Sequence, residues 1–329
     1  MGLSFSLCFG FVPIFFFAWF VYWLDRYEKE PKKALLAVFL WGAVVAAGSA
    51  YVINTLMGVG VYLVTGSEMA AEVATASLVA PVVEEIVKGC AVLLVFLIAR
   101  HEFDSLIDGA VYAAITALGF AATENTLYIY NMGYLENGWT GLLALAFIRV
   151  VLVGWQHPFY TAFFGIGLAV ARLDRRPPVI VTAPLIGLAV AIFAHAFHNT
   201  LPVFFEDWTG LAVGAVFDWT GWLFMLGLLI VILLREQRRL AASLREELDA
   251  GLITPAQYRT ACSAWTQALV RTSALFDGRF AATARFYQVC GELAHKKHQL
   301  RQMGEENGNS AAIARLRAEL AELTSRARG

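Results

Sequence analysis

The sequence predicts an all-α fold: a polytopic membrane helix bundle of about seven transmembrane helices followed by a soluble C-terminal helical domain. Three observations predict it. Apolar runs long enough to cross a bilayer, about 20 residues each, recur up to residue 234 and then stop. The loops between them alternate in Lys/Arg content. Charge is also partitioned: residues 1–234 hold 10 Lys/Arg against 16 Asp/Glu, whereas residues 235–329 hold 15 against 10. The whole chain is 59% hydrophobic and 16% charged, against about 25% charged in soluble domains. This excludes an ordinary soluble enzyme, and no nucleic-acid partner is expected.

The expected spans are 3–24, 34–64, 73–99, 106–130, 140–171, 178–201 and 211–234. The first has no basic residue before it, so it reads as a span and not as a cleaved leader. The second and fifth exceed the required length and are expected to tilt, kink or run into the interface. Arg26, Lys29, Lys32 and Lys33, then Arg100, then Arg172, Arg175 and Arg176, then Arg235, Arg238 and Arg239 mark alternate loops. The intervening loops carry Glu68, Glu72, Glu136, Glu206 and Asp207 instead. Lys/Arg enrichment on the cytoplasmic side places the N-terminus outside and the C-terminus inside a multi-pass protein of the cell membrane. Asp218, in or just before the last span, is the point of strain in this count. Trp19, Trp23, Trp139 and Trp208 sit near span ends and read as interfacial anchors.

Beyond Leu234 the pattern becomes amphipathic. Helices are expected over 236–250, 255–275, 280–303 and 311–328, with turns at Asp249–Gly251 and Gly304–Asn309. Thr254-Pro255 has an N-cap residue followed by a first-turn proline. The four cysteines (Cys8, Cys90, Cys262, Cys290) are widely spaced and form no CxxC pair. They are read as reduced thiols with no zinc ribbon and no disulfide framework.

Ionisable groups within apolar helices cost roughly 2.5–3.5 kcal/mol each on insertion scales. The chain carries few: Glu84, Glu85, Lys88, Glu124, Arg149, His157, His195 and His198, with Asp108 nearer an end. Glu84, Glu124, His157 and His195 lie about 14 to 18 residues from the cytoplasmic ends of four different spans. At about 1.5 Å per residue this is roughly 21–27 Å, one layer past the midplane toward the outside. Unrelated packing residues have no reason to share a depth, whereas a site built between helices does. Glu84 and Lys88 are four apart and share a helix face, so the spacing predicts that they neutralise each other and leave Glu85 the freer carboxylate. Glu124 has no partner on its own helix; it requires Arg149, a proton or a metal. Taken singly, His157 is more simply a hydrogen-bonding core histidine, His198 a neighbour to His195, and Glu84–Lys88 a packing pair. The combination points to water activation by a buried carboxylate or to a catalytic divalent metal such as zinc, held by two or three His/Glu side chains with an open position. Other intramembrane hydrolase signatures (HExxH, Gly-x-Gly-Asp, Gly-x-Ser-Gly) are absent.

In order along the chain, Glu84-Glu85-Ile86-Val87-Lys88, the segment Asp108-Gly109 through Phe120-Ala121-Ala122-Thr123-Glu124-Asn125, His157-Pro158-Phe159-Tyr160 through Gly167, and His195-Ala196-Phe197-His198-Asn199 resemble the four motifs of the PrsW family of intramembrane proteases. That family is related to the CAAX prenyl protease and bacteriocin-processing superfamily. The superfamily more widely has histidine where this chain has Glu124, which argues against a prenyl-protein protease. The likeness covers most of residues 10–234 and leaves the tail outside it. It implies a membrane-embedded endopeptidase in residues 1–234 and a membrane-protein substrate, such as a single-span anti-sigma factor, cut on the outer side. Family members are often described as metalloproteases. A metal-free route with glutamate-activated water and His/Asn oxyanion donors suits the same residues. On this reading Glu84 and Glu85 are the basic pair, with Glu85 as base. Glu124, His157 and His195 orient water or bind metal, Asn199 stabilises the oxyanion, and Lys88, Asn125, Arg149 and His198 support them. Residues 235–329 form a cytoplasmic helical tail, expected to regulate, self-associate or recruit a partner.

Two other classes use the same features. A proton- or ion-coupled transporter would use the Glu/His layer as a relay, but no inverted repeat is present. A non-catalytic receptor would depend on the tail alone.

Overall fold

A computed structural model describes residues 1–25, 29–204, 207–305 and 308–326. Arg26 and Glu206 lie outside the described residues, as do part of the Gly304–Asn309 turn, the last residues of the expected final helix, and the side chains of Asp207 and Trp208. Where described, the regular structure is helical throughout. An apolar chain in lipid must satisfy its backbone groups within each segment, and a helix does so.

Among the described residues, five helical stretches are long and apolar enough to cross a membrane: Gly2–Leu24, Lys32–Thr65, Leu106–Leu173, Pro177–Leu201 and Thr209–Asp249. The first is α1. The second joins α2 (Lys32–Leu40) to α3 (Ala47–Thr65) through a π turn at Trp41–Ala46. The segment α4 (Glu68–Ala74), a π turn at Thr75–Val79 and α5 (Ala80–Ile98) is equally continuous. It is absent from the five because Glu84, Glu85 and Lys88 lie within it.

The stretch Leu106–Leu173 is not one rod. After α6 (Leu106–Tyr128) and a π turn at Ile129–Leu135, α7 (Glu136–Ala146) contains non-helical Asn137 and Gly138, the latter with φ 59°. The chain reverses there, and a Cβ on Gly141 would overlap the Gly133 carbonyl. A second break kinks the over-long expected span 140–171. A π turn at Phe147–Leu152 ends near Val153 (φ −123°), and α8 begins anew at Gln156 and runs to Leu173. Pro158 suits this start, because a first-turn N–H has no helical acceptor to lose. His157 therefore stands in the first turn of a helix and not in the middle of one.

Helix α9 (Pro177–Phe204) packs on α8 and α5, and α6 packs on α8 and α1. Small residues set these crossings. A Cβ at either Gly109 (α6) or Gly165 (α8) would overlap the other's carbonyl oxygen, so the two backbones touch, as is common between helices in lipid. A π turn can leave a carbonyl without its helical donor. Three carbonyls in these π turns accept from another helix: Thr123 Oγ1 donates to Ala43 O (2.7 Å), Asn199 Nδ2 to Ala76 O (3.0 Å) and Trp219 Nε1 to Leu152 O (2.8 Å).

Contacts divide the chain into two units, one comprising Met1–Leu24 and Glu30–Gly227, the other mostly Leu228–Gly329. The expected helix 236–250 is not separate, because α10 runs unbroken from Asp207 to Asp249. The expected helix 255–275 is two, α11 (Pro255–Ala261) and α12 (Ala264–Phe276), since Ser263 turns extended and caps the Thr266 N–H. Thr254 and Gln257 form a reciprocal capping box at the start of α11. Helices α13 (Phe280–Met303) and α14 (Asn309–Arg326) complete the second unit around Leu244, Phe286, Leu293 and Leu320. All four cysteines are free thiols.

Candidate active site

Four helices deliver the site's carboxylates, imidazoles and lysine, α3 adds Asn54, and the π turn Phe147–Leu152 adds Arg149. α5 brings Glu84, Glu85 and Lys88, each at most 5% exposed; α6 brings Glu124 and Asn125; the start of α8 brings His157; α9 brings His195 and Asn199. In a medium where an isolated charge is so costly, these side chains find one another.

Glu85 is the most engaged. Its Oε1 accepts from Lys88 Nζ (2.5 Å) and lies 2.9 Å from His195 Nδ1, and its Oε2 accepts from Thr161 Oγ1 (2.8 Å). This reverses the expected pairing, in which Lys88 engages Glu84 and leaves Glu85 free. Positions three apart on a helix are as adjacent as those four apart, and the contacts from α8 and α9 select Glu85. Lys88 Nζ also lies 3.3 Å from His157 Nδ1.

Glu124 lies against Arg149, as its lack of a helix-mate requires, and its Oε2 is 2.9 Å from His157 Nε2. Arg149 Nε donates to Asn125 Oδ1 (2.8 Å), and its guanidinium lies over the Tyr128 ring, 4.0 Å from the centroid. The His157 and His195 rings meet edge to face at 5.2 Å.

Glu84 is different. Asn54 Nδ2 donates to its Oε1 (3.3 Å), whereas Oε2 is buried without a hydrogen-bond partner, 3.8 Å from His195 Nε2. One ligand atom each from Glu84, His157 and His195 lies within 4.8 Å of the others. Among the described residues this is the set that could hold a metal. It has Glu84 where the sequence suggested Glu124, whose Oε2 is shared between Arg149 and His157. A cavity of about 880 Å³ opens on the cluster, with Glu84, Glu124, Arg149, His157, His195 and Asn199 in its walls.

His198 stands apart from this cluster. Its Nδ1 lies 2.9 Å from Asp218 Oδ2, and Tyr160 donates to Asp218 Oδ1 (2.8 Å). Asn54, Tyr160, Thr161 and Asp218 were not among the sequence-derived site residues. Each carried a signal: Asn54 is a lone amide in an apolar run, Thr161 sits one turn after His157, and Asp218 is a carboxylate in the last apolar run. Tyr160 closes the His157-Pro158-Phe159-Tyr160 motif but is otherwise one aromatic among many.

Over residues 30–234 the chain matches a family described as PrsW family intramembrane metalloprotease. It is 29% identical over 191 residues to a protein of Geobacillus kaustophilus named Protease PrsW, covering 57% of this chain and 76% of that relative. A protein of the same name from Bacillus subtilis is 25% identical over 193 residues, covering 57% and 78%. One from Clostridioides difficile is 35% identical over 121 residues, covering 36% and 48%. No solved structure matches the chain.

Proposed function

We propose, from the premise that the chain belongs to the PrsW family of intramembrane metalloproteases, that the Glu84–His157–His195 pocket hydrolyses a peptide bond of a membrane-protein substrate. The observation that carries this is Glu84 Oε2, a buried carboxylate oxygen with no hydrogen-bond partner, beside two imidazoles in the wall of a cavity. Buried carboxylate oxygens are ordinarily satisfied; Asp218 Oδ2 also lacks a hydrogen bond among the described residues, but Asp218 is not in the wall of this cavity, whereas Glu84 is.

Glu84, and not Glu85, is the proton acceptor on this reading. It takes a proton from water at Oε2, and the oxygen adds to the scissile carbonyl carbon. The proton then passes to the leaving nitrogen as the C–N bond breaks. Glu85, held by Lys88 and Thr161, accepts Nδ1–H of His195 and so leaves Nε2 as the lone-pair nitrogen toward Glu84. Glu124, neutralised by Arg149, orients His157 in the same way. Asn199 uses one amide N–H on Ala76 O and has a second for the developing oxyanion.

The unpartnered Glu84 oxygen and His195 Nε2 suit the metal that the family description implies, and His157 would join them by exchanging its Lys88 or its Glu124 contact. Glu84, His157 and His195 would hold zinc as a two-histidine, one-carboxylate set, and such an ion supplies Lewis acidity that lowers the pKa of bound water. The sequence-based set of Glu124, His157 and His195 is the rival assignment. Zinc content of purified Glu84→Ala and Glu124→Ala proteins separates the two: the true ligand's variant loses the metal, and the other retains it.

We read seven crossings, taking α4–α5 as the third and the reversal at Asn137–Gly138 as the outer turn between the fourth and fifth. Residues 1–234 form the protease domain and 235–329 a cytoplasmic tail that binds a partner or self-associates. The Lys/Arg alternation supports an external N-terminus. The site then lies in the outer half of the bilayer, which fits a single-span regulator such as an anti-sigma factor cut on its outer side. The decisive experiment is cleavage of a tagged single-span reporter by purified protein in liposomes. Intact cleavage by Glu84→Gln overturns the assignment of the base, and intact cleavage by Glu84→Gln, Glu85→Gln and His195→Gln alike overturns the site.

A further inference from the structure

Asp218 has no part in the chemistry above, yet it is a carboxylate 5% exposed in an apolar helix, where a charge costs roughly 2.5–3.5 kcal/mol on insertion scales. Its contacts show what it holds. Oδ1 accepts from the Tyr160 hydroxyl (2.8 Å), and Oδ2 lies 2.9 Å from His198 Nδ1. Tyr160 is fully buried. Its ring lies nearly parallel to the His195 imidazole, with centroids 5.1 Å apart and planes at 21°. The next residue on α8, Thr161, donates to Glu85 (2.8 Å), whose other oxygen contacts His195 Nδ1. Adjacent residues of one helix thus restrain His195 twice, Tyr160 across the ring face and Thr161 through Glu85 at the ring edge.

The Glu85 contact fixes where His195 Nδ1 sits but leaves the ring able to pivot about that bond. A flat aromatic surface pressed on the face removes the pivot. Tyr160 can act so only while its own ring is held, and the hydroxyl bond to Asp218 holds it. His198, three residues after His195 on α9, lies with Nδ1 2.9 Å from Asp218 Oδ2, but neither atom makes a hydrogen bond among the described residues, so the Tyr160 hydroxyl is the bond through which Asp218 acts. We propose that Asp218 is a positioning residue of the protease site: through Tyr160 it sets the plane of the His195 imidazole, so that Nε2 faces Glu84.

This rests on the protease reading, and the test separates the two failures. Steady-state cleavage of the single-span reporter is measured in liposomes for Glu84→Gln, Asp218→Ala, Asp218→Asn, Tyr160→Phe and the Asp218→Ala/Tyr160→Phe double variant, with thermal unfolding of each. Removing a group that orients a site histidine typically costs 10–100-fold. Asp218→Ala and Tyr160→Phe are each expected to lower kcat by about that factor with KM within about twofold. The double variant is expected to be no worse than either single one, because both cut the same tether. Asp218→Asn keeps an acceptor for the Tyr160 hydroxyl and is expected to recover most of kcat. Tyr160→Phe removes one oxygen, so it reports even if Asp218→Ala fails to fold. Active Glu84→Gln overturns the protease reading itself. Inactive Glu84→Gln with unchanged kcat in Tyr160→Phe, with additive losses in the double variant, or with Asp218→Asn as impaired as Asp218→Ala overturns the positioning role alone.

Discussion

Two buried ion clusters, one in each unit of the chain, are assembled from the same kinds of side chain and end differently. In the second unit Lys297 donates to Ser243 O (2.6 Å) and to both oxygens of Glu247 (3.1 and 2.8 Å), and it pairs with Glu246 (2.9 Å). Arg317 closes the group from α14 onto the same two carboxylates. Every oxygen of buried Glu247 is used. In the first unit Lys88, Glu85, His195, His157, Glu124 and Arg149 form a comparable chain of contacts, but it stops at Glu84 Oε2, which faces a cavity with no partner. A network that closes on itself is a packing device. One that leaves a buried atom open beside a cavity is prepared for something that arrives.

If this contrast is right, the largest effect is on chemistry alone. Glu84→Gln is expected to lower reporter cleavage by roughly 10²–10⁴-fold, the range for loss of a general base, with an unfolding temperature within a few degrees of wild type. A large loss of stability instead would place Glu84 among the packing residues. The counterpart is Lys297→Met, which takes the Lys297 contacts from both oxygens of buried Glu247 and leaves it paired with Arg317 alone. Breaking a buried pair from one side costs about 3–5 kcal/mol, so chemical denaturation should show the second unit markedly weakened while cleavage per folded molecule is unchanged. Lost cleavage in a folded Lys297→Met protein would mean that the second unit participates in the reaction.

Smaller effects sharpen the comparison. Glu124→Gln keeps the shape but gives up the charge that faces Arg149 and His157, and a fall of about 10–100-fold in kcat is expected. Arg285 pairs with Glu319 and Glu292 at the surface, with its side chain 38% exposed. Arg285→Ala is therefore expected to cost about 0–1 kcal/mol, a shift that a denaturation midpoint resolves. The mildest effect is one of pH. Burial, then the neighbouring Cys262 and Glu247, pushes the Cys290 thiol upward. Because the folded form holds its proton more tightly, the second unit keeps this contribution below the thiol's ordinary value of about 8.5 and loses it as pH rises above that. Unfolding measured from pH 7 to 10 checks the sign, and Cys290→Ala should flatten the slope.

Membership of the membrane class, the helical fold and most of the ionisable residues that meet at the site were legible in the sequence, because composition and period are local properties. An apolar run of about 20 residues has few other fates, and a carboxylate or imidazole within one must find company. The company itself was not legible. Glu84 and Glu85 are neighbours in the chain, and their spacing to Lys88 favoured the wrong one. Thr161 and His195, remote in sequence, decide that Glu85 is the engaged carboxylate and Glu84 the open one. Likewise the break at Val153–Trp155 that puts His157 at a helix start, and the face of α10 that turns Asp218 toward Tyr160, depend on how helices cross. Those crossings are set where glycines such as Gly109 and Gly165 let backbones touch, a condition that one residue meets only when its partner arrives from another part of the chain.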